Sequence, residues 1–86
     1  MTTPHRDLET SVPPTVLDRV LAAAAEVFGR PTAPDDDFFA LGGDSIAAVE
    51  LALLLEERLG REVDTTTVVD APDLAALAAA LTADAR

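Results

Sequence analysis

Three stretches of the chain repeat apolar residues at helical spacing. In the first, Leu17, Val20, Leu21, Ala24, Val27 and Phe28 fall on one face. Thr15-Val16-Leu17-Asp18 ahead of it fits a capping box, in which hydroxyl and carboxylate satisfy free amides at a helix start. Gly29 stands where a helix ends in a left-handed residue. The pattern predicts a helix from Pro14 or Thr15 to Phe28; a start one turn earlier stays open, because Pro13 and Pro14 also suit a first turn. Near the other end, Leu74, Leu77, Ala78 and Leu81 give an i, i+3, i+4, i+7 face. Pro72 and Asp73 precede it, with Asp73 as N-cap.

The middle stretch predicts a helix from Ser45 to Leu59, started by Asp44 as N-cap and stopped at Gly60. Ala48, Leu51, Ala52, Leu55 and Leu59 make a core stripe. Ile46, Val49 and Leu53 make a second stripe rotated away from it. A helix in a small bundle needs one apolar face, so the second stripe calls for its own explanation.

The segments between are less regular. Residues 61–71 contain Val63 and the run Thr65 to Val69, β-branched residues that favour strand. No second strand exists to pair with them, and a lone strand leaves its backbone groups unsatisfied. We therefore expect a short helical turn that puts Val68 and Val69 into the core. Residues 30–43 read as a long loop, with Pro31, Pro34, three aspartates and two glycines. A loop of that length in a small domain is functional or pinned, and Phe38 and Phe39 are the expected pins, at least one of them buried. Residues 1–12 read as a loose tail and 83–86 as a flexible end, leaving 13–82 as the folded unit. The predicted fold is all-α: three main helices, one short helix, and a long loop between the first two. No internal repeat is visible.

Composition limits the functions open to it. Eighty-six residues make one domain, and a chain this short buries only ~60–65% of its unfolded surface. A deep, enclosed active site is excluded. Sixteen acidic residues against six arginines give a net charge of −10. That field repels phosphate backbones and anionic lipid and favours a partner with a basic face. The absence of cysteine excludes a disulfide framework and thiol-based metal sites, and fits a reducing, cytoplasmic setting. Met1 to Val12 lacks an apolar signal core. The apolar run Leu51 to Leu55 is far too short to cross a bilayer.

The candidate chemistry lies in Asp37-Phe38-Phe39-Ala40-Leu41-Gly42-Gly43-Asp44-Ser45-Ile46. It places one serine where a loop becomes a helix. A hydrolase nucleophile elbow needs glycine two residues after the serine, where Ala47 stands. The only histidine, His5, is in the tail, and without a base a serine hydroxyl is a poor nucleophile. The aspartate run does not fit a calcium loop, since Phe39 and Leu41 occupy ligand positions counted from Asp35. No catalytic residue and no metal site is therefore assigned. The arrangement suits modification from outside instead. Gly42 and Gly43 would clear side chains from the approach to the hydroxyl. A phosphate on Ser45 would meet free amides and the positive end of the helix dipole. Asp-Ser as a mere cap and Gly-Gly as a mere turn would explain these residues alone; the surrounding pattern decides against that.

That pattern resembles the peptidyl carrier, or thiolation, domains of nonribosomal peptide synthetases, within the acyl carrier superfamily. Those domains carry an acidic residue, two Phe, a short spacer, Gly-Gly, then His or Asp, Ser, and Leu or Ile. Here these are Asp37, Phe38-Phe39, Ala40-Leu41, Gly42-Gly43, Asp44, Ser45 and Ile46. Leu59-Gly60 and Ala71-Pro72 also fit, so the resemblance covers roughly residues 14–82. It implies an acyl-carrier-like antiparallel four-helix bundle with a 4′-phosphopantetheine arm on Ser45, flanked by Gly42, Gly43 and Asp44. It implies a phosphopantetheinyl transferase that installs the arm and an adenylation enzyme that loads an amino acid or related acid. Condensation, tailoring or thioesterase enzymes would receive the cargo. It also gives the second stripe a role: Ile46, Val49 and Leu53 as a partner face, with Glu50, Glu56 and Glu57 adding steering. An inward-packed Ile46 stays open. The chain departs from the pattern at Asp44, where His is commoner, at Asp73, where Thr is frequent, and at Val69, where Phe is usual. Asp44-Ser45 and Val49-Glu50-Leu51 also resemble carriers of fatty-acid and polyketide synthesis, the first alternative. The second is an unmodified acidic helical adaptor. A monomer is expected; a free-standing carrier and an excised module read alike.

Overall fold

The computed structural model describes residues 14–84. Four helices follow in order: α1 (Val16–Phe28), α2 (Ser45–Leu59), α3 (Thr65–Asp70) and α4 (Leu74–Asp84). No strand occurs among the described residues. The tail at 1–12 and residues 85–86 of the expected flexible end lie outside the described residues, and α4 continues to Asp84.

The helix ends follow local chemistry. Thr15 caps α1: its hydroxyl accepts the Asp18 N–H and the Asp18 carboxylate accepts the Thr15 N–H, both at 3.0 Å. This reciprocal pair sets the start at Val16, not a turn earlier. Gly29 and Gly60 both take the left-handed conformation at φ 72° that ends α1 and α2. The Asp73 carboxylate accepts the Ala76 N–H at 2.8 Å and starts α4.

Arginine side chains tie the helix ends together. Arg19, early in α1, donates to the Arg58 carbonyl at the end of α2 at 2.9 Å. Arg58 in turn pairs with Glu26 of α1. Arg61, just past α2, donates to the Leu81 carbonyl of α4 at 2.8 Å. So α2 and α4 run in the same direction and α1 runs against both. Two of these bonds end on carbonyls near helix C-termini, where cations offset the negative end of the dipole.

The core lies where α1, α2 and α4 meet. Val20, Ala23 and Ala24 of α1, Ala48, Leu51, Ala52 and Leu55 of α2, and Leu74, Leu77, Ala78 and Leu81 of α4 are buried. The short α3 contributes Val68, fully buried; Val69 is only half-buried, so the expected pair of core valines is one valine and a flanking contact. Leu59 likewise packs at the core margin.

The long loop is pinned at both sides. The Thr32 hydroxyl donates to the Leu21 carbonyl of α1 at 2.8 Å. The Leu74 and Ala75 N–H groups donate to the carbonyls of Asp36 and Pro34 at 3.0 and 2.8 Å, so free amides at the start of α4 hold the loop. Phe38 is buried with its ring edge-on to Phe28 at 5.6 Å. Phe39 sits edge-on to Phe38 at 5.2 Å but stays 55% exposed, so one phenylalanine pins and the other is displayed.

Candidate functional site

The loop is fastened just before it turns into α2. Its aspartates serve their own backbone: Asp36 accepts the Ala33 N–H and Asp37 the Phe39 N–H, each at 2.8 Å. No group of three or more His, Cys, Asp or Glu among the described residues is arranged to hold a metal ion. Successive turns follow, with Leu41, Gly42 and Gly43 N–H groups donating to the carbonyls of Asp37, Phe39 and Phe38 at 3.0 Å.

The two glycines serve different ends. Gly42 sits at φ 103°, a conformation L side chains rarely adopt, and its Cβ direction is open space. Gly43 does not clear a path for an outside enzyme, contrary to the expectation for the pair. A Cβ there would lie 2.6 Å from Cδ2 of Phe38, so the missing side chain makes room for the protein's own aromatic pin. The signal for this was in the sequence, but only as two motif residues whose contact needs the folded loop.

Ser45 is the first residue of α2 and is exposed. Capping falls to Asp44, in extended conformation, whose carboxylate accepts the Ala47 N–H at 2.9 Å while its carbonyl accepts the Ala48 N–H at 2.9 Å. The Ser45 hydroxyl is therefore not needed as a cap. The Ser45 and Ile46 N–H groups precede the first intrahelical bond and stand at the positive end of the dipole. An exposed serine, a cap supplied by its neighbour and a positive helix end together fit a covalently attached phosphodiester.

The second stripe points outward. Ile46 is 70%, Val49 46% and Leu53 58% exposed, so an inward-packed Ile46 is ruled out. Glu50 and Glu57 are exposed beside them. Glu56 differs: its carboxylate accepts the Val63 N–H at 3.0 Å and holds the link to α3. The exposed Phe39 is an apolar surface residue that the sequence read only as a pin.

The family model described as the phosphopantetheine attachment site matches residues 18–81. The chain belongs to this family of carrier domains. Among curated proteins, the carrier is 44% identical over 78 residues to a carboxylic acid reductase of Mycobacterium tuberculosis, covering 85% of the chain and 7% of that protein. It is 44% identical over 57 residues to the nonribosomal peptide synthetase kk1B of Curvularia clavata, covering 66% of the chain. It is 40% identical over 57 residues to the cyclosporin synthetase simA of Tolypocladium inflatum, also covering 66%. In both synthetases the matched share rounds to 0% of the whole protein, so the chain spans a small fraction of these relatives. Two solved structures share the fold. BlmI, a type-II acyl carrier protein from Streptomyces verticillus involved in bleomycin biosynthesis, superposes with TM-score 0.75 at 26% identity, covering 93% of each chain. A non-ribosomal peptidyl carrier domain superposes with TM-score 0.68 at 37% identity, covering 79% of this chain and 90% of that one. The all-α bundle and the carrier resemblance expected from the sequence both stand.

Proposed function

We propose that Ser45 is the attachment point of the 4′-phosphopantetheine arm and that residues 13–82 form a peptidyl carrier unit of nonribosomal peptide biosynthesis. The observation that carries this is Ser45 itself: exposed at the first residue of α2, and relieved of capping by Asp44. When bound, the arm supplies a terminal thiol on which an acyl group is held as a thioester. The chain's own part is to present and position. Asp44 holds the helix start, Gly42 sets no side chain on the loop that leads to it, and the free amides of Ser45 and Ile46 favour the phosphodiester charge.

The chain is a substrate of a phosphopantetheinyl transferase and does no chemistry on its cargo. An adenylation enzyme loads it; condensation, tailoring or thioesterase enzymes unload it. Ile46, Val49 and Leu53 form the face those partners meet, and Glu50 raises the rate of encounter with basic surfaces. No helix among the described residues is long and apolar enough to cross a membrane, and the proposed setting is the cytoplasm, as a monomer. The match to a carboxylic acid reductase favours a second reading of the cargo, a carboxylic acid other than an amino acid.

Intact-protein mass spectrometry after incubation with coenzyme A and a permissive transferase tests the attachment. The wild-type chain should gain one phosphopantetheinyl mass and Ser45→Ala none. An unmodified wild type, under conditions that modify a control carrier, would overturn the proposal. Parallel loading with adenylation enzymes and malonyl transferases separates the peptidyl from the polyketide reading.

A further inference from the structure

Each described arginine is engaged within the chain. Arg19, Arg58 and Arg61 tie helix ends together. Arg30 does something else. It is the first residue of the long loop, and its Nη2 donates across the mouth of that loop to the Leu41 carbonyl at 3.2 Å, 11 residues on. Its own backbone is fixed, since the Arg30 N–H donates to the Ala25 carbonyl of α1 at 3.2 Å. The side chain thus runs from the end of α1 to the segment just ahead of Ser45.

The Leu41 carbonyl and the Gly42 N–H belong to one planar peptide unit. The Phe39 carbonyl holds the N–H end at 3.0 Å, and Arg30 holds the carbonyl end. The other bonds of this turn stay within residues 37–43. Among the described residues, Arg30 therefore makes the one hydrogen bond between residues 37–43 and the rest of the chain. Packing does not replace it at Gly42, which sits at φ 103° with open space in its Cβ direction. Glycine takes φ of either sign at little cost, so this peptide unit can turn over by opposite rotations about the bonds on either side of it. Turned over, it would lose both hydrogen bonds at once.

We propose that Arg30 is a positioning residue for modification of Ser45. Its guanidinium holds the Leu41–Gly42 peptide in one orientation, so the backbone entering Asp44 and Ser45 follows one path when the modifying enzyme closes on it. This rests on the reading of Ser45 as the modified residue. The role belongs to the hydrogen bond and not to the charge. The chain carries a net charge of −10, and one exposed cation fewer would strengthen its pull on a basic enzyme. Loss of Arg30 as a charge and loss of Arg30 as a strap therefore act on the rate in opposite directions.

The test compares Arg30→Met, which removes the donor, with Arg30→Lys, which still donates to one carbonyl. Arg30 is exposed, so both variants should keep the thermal midpoint of the wild type. In the unmodified chain, amide exchange of Gly42 and Gly43, read by NMR, should quicken on the order of threefold to tenfold in Arg30→Met, with Leu51 and Leu55 unchanged. With coenzyme A and a permissive transferase, kcat for modification should fall on the order of threefold to tenfold, with KM for the chain nearly unchanged and the loss kept at high salt. Arg30→Lys should recover most of both effects. Unchanged exchange in Arg30→Met would show that the strap does not hold the turn, and would overturn the proposal. Faster exchange with an unchanged or raised kcat would confine Arg30 to the loop and equally overturn its role. So would a loss confined to KM, or one that Arg30→Lys does not recover. A wild type left unmodified beside a modified control carrier would remove the reading of Ser45 and this role with it. The exchange measurement does not depend on Ser45, so the two failures are told apart.

Discussion

The ring of Phe38 occupies the space a side chain at Gly43 would need. A Cβ built at Gly43 falls 2.6 Å from Cδ2 of the ring, and Phe38 cannot retreat, because it is buried against Phe28. Gly43 is thus a packing residue that lets the loop close over the core directly before Asp44 and Ser45. Gly43→Ala should destabilise the fold by about 1–3 kcal/mol through overpacking. The second substitution Phe38→Leu should recover part of that loss, since the two residues share one space. Urea denaturation of both single variants and the double variant checks this. Strictly additive losses would show that the contact does not govern the loop.

Asp44 is the cap that frees Ser45, so its removal should act on stability first. Asp44→Ala leaves the Ala47 N–H without its carboxylate partner and should cost about 1 kcal/mol, within a range of about 0.5–2. Asp44→Asn keeps the acceptor and loses only the charge at the positive helix end, so it should retain most of the stability. Thermal unfolding of the two variants separates hydrogen bond from charge. Equal losses would mean that the dipole interaction dominates.

The parts of this fold carried by local chemistry were legible before any coordinates. Thr15 with Asp18, Gly29, Asp44, Gly60 and Asp73 act within a few residues of themselves, and each bounds its helix as expected. The outward stripe was legible too, because one helical period cannot place Ile46, Val49 and Leu53 with Leu51 and Leu55. What stayed hidden depends on distant partners. Nothing near Asp36 or Pro34 announces that their carbonyls hold the amides of Leu74 and Ala75. The role of Gly43 depends on Phe38 turning back beneath it, and the difference between Phe38 and Phe39 depends on which ring meets Phe28. Val69 lies shallower than its β-branched run suggests, because a six-residue helix can turn only one side fully into the core.

Arg19 joins α1 to the end of α2 through a partly buried bond from its guanidinium to the Arg58 carbonyl. The last carbonyls of a helix have no partner within it, so this bond fills a vacancy that water fills poorly at a packed interface. Arg19→Met keeps most of the aliphatic stem and removes the donor. The expected loss is about 1.5–3 kcal/mol, the range for hydrogen bonds to charged groups. Denaturant titration measures it, and hydrogen exchange should show the last turn of α2 opening earlier. Unchanged exchange there would show that the bond does not restrain the helix end.

Leu53 and Leu55 stand two residues apart on α2 and should respond in opposite ways. Leu55 is fully buried between the helices, so Leu55→Ala should cost about 2–5 kcal/mol as a core truncation. Leu53 is 58% exposed and Val49 46% exposed. Leu53→Asp and Val49→Asp should therefore change stability by about 0.5 kcal/mol or less. Their effect should instead appear in turnover with partners: slower modification by the transferase or slower loading, with Ser45 itself intact. The effect of the charge change alone would fade as ionic strength rises; loss of an apolar contact would persist at high salt. Measuring modification rates across salt, beside unfolding curves, separates the two causes. A large drop in the thermal midpoint of Leu53→Asp would place that side chain in the core and remove it from the partner face.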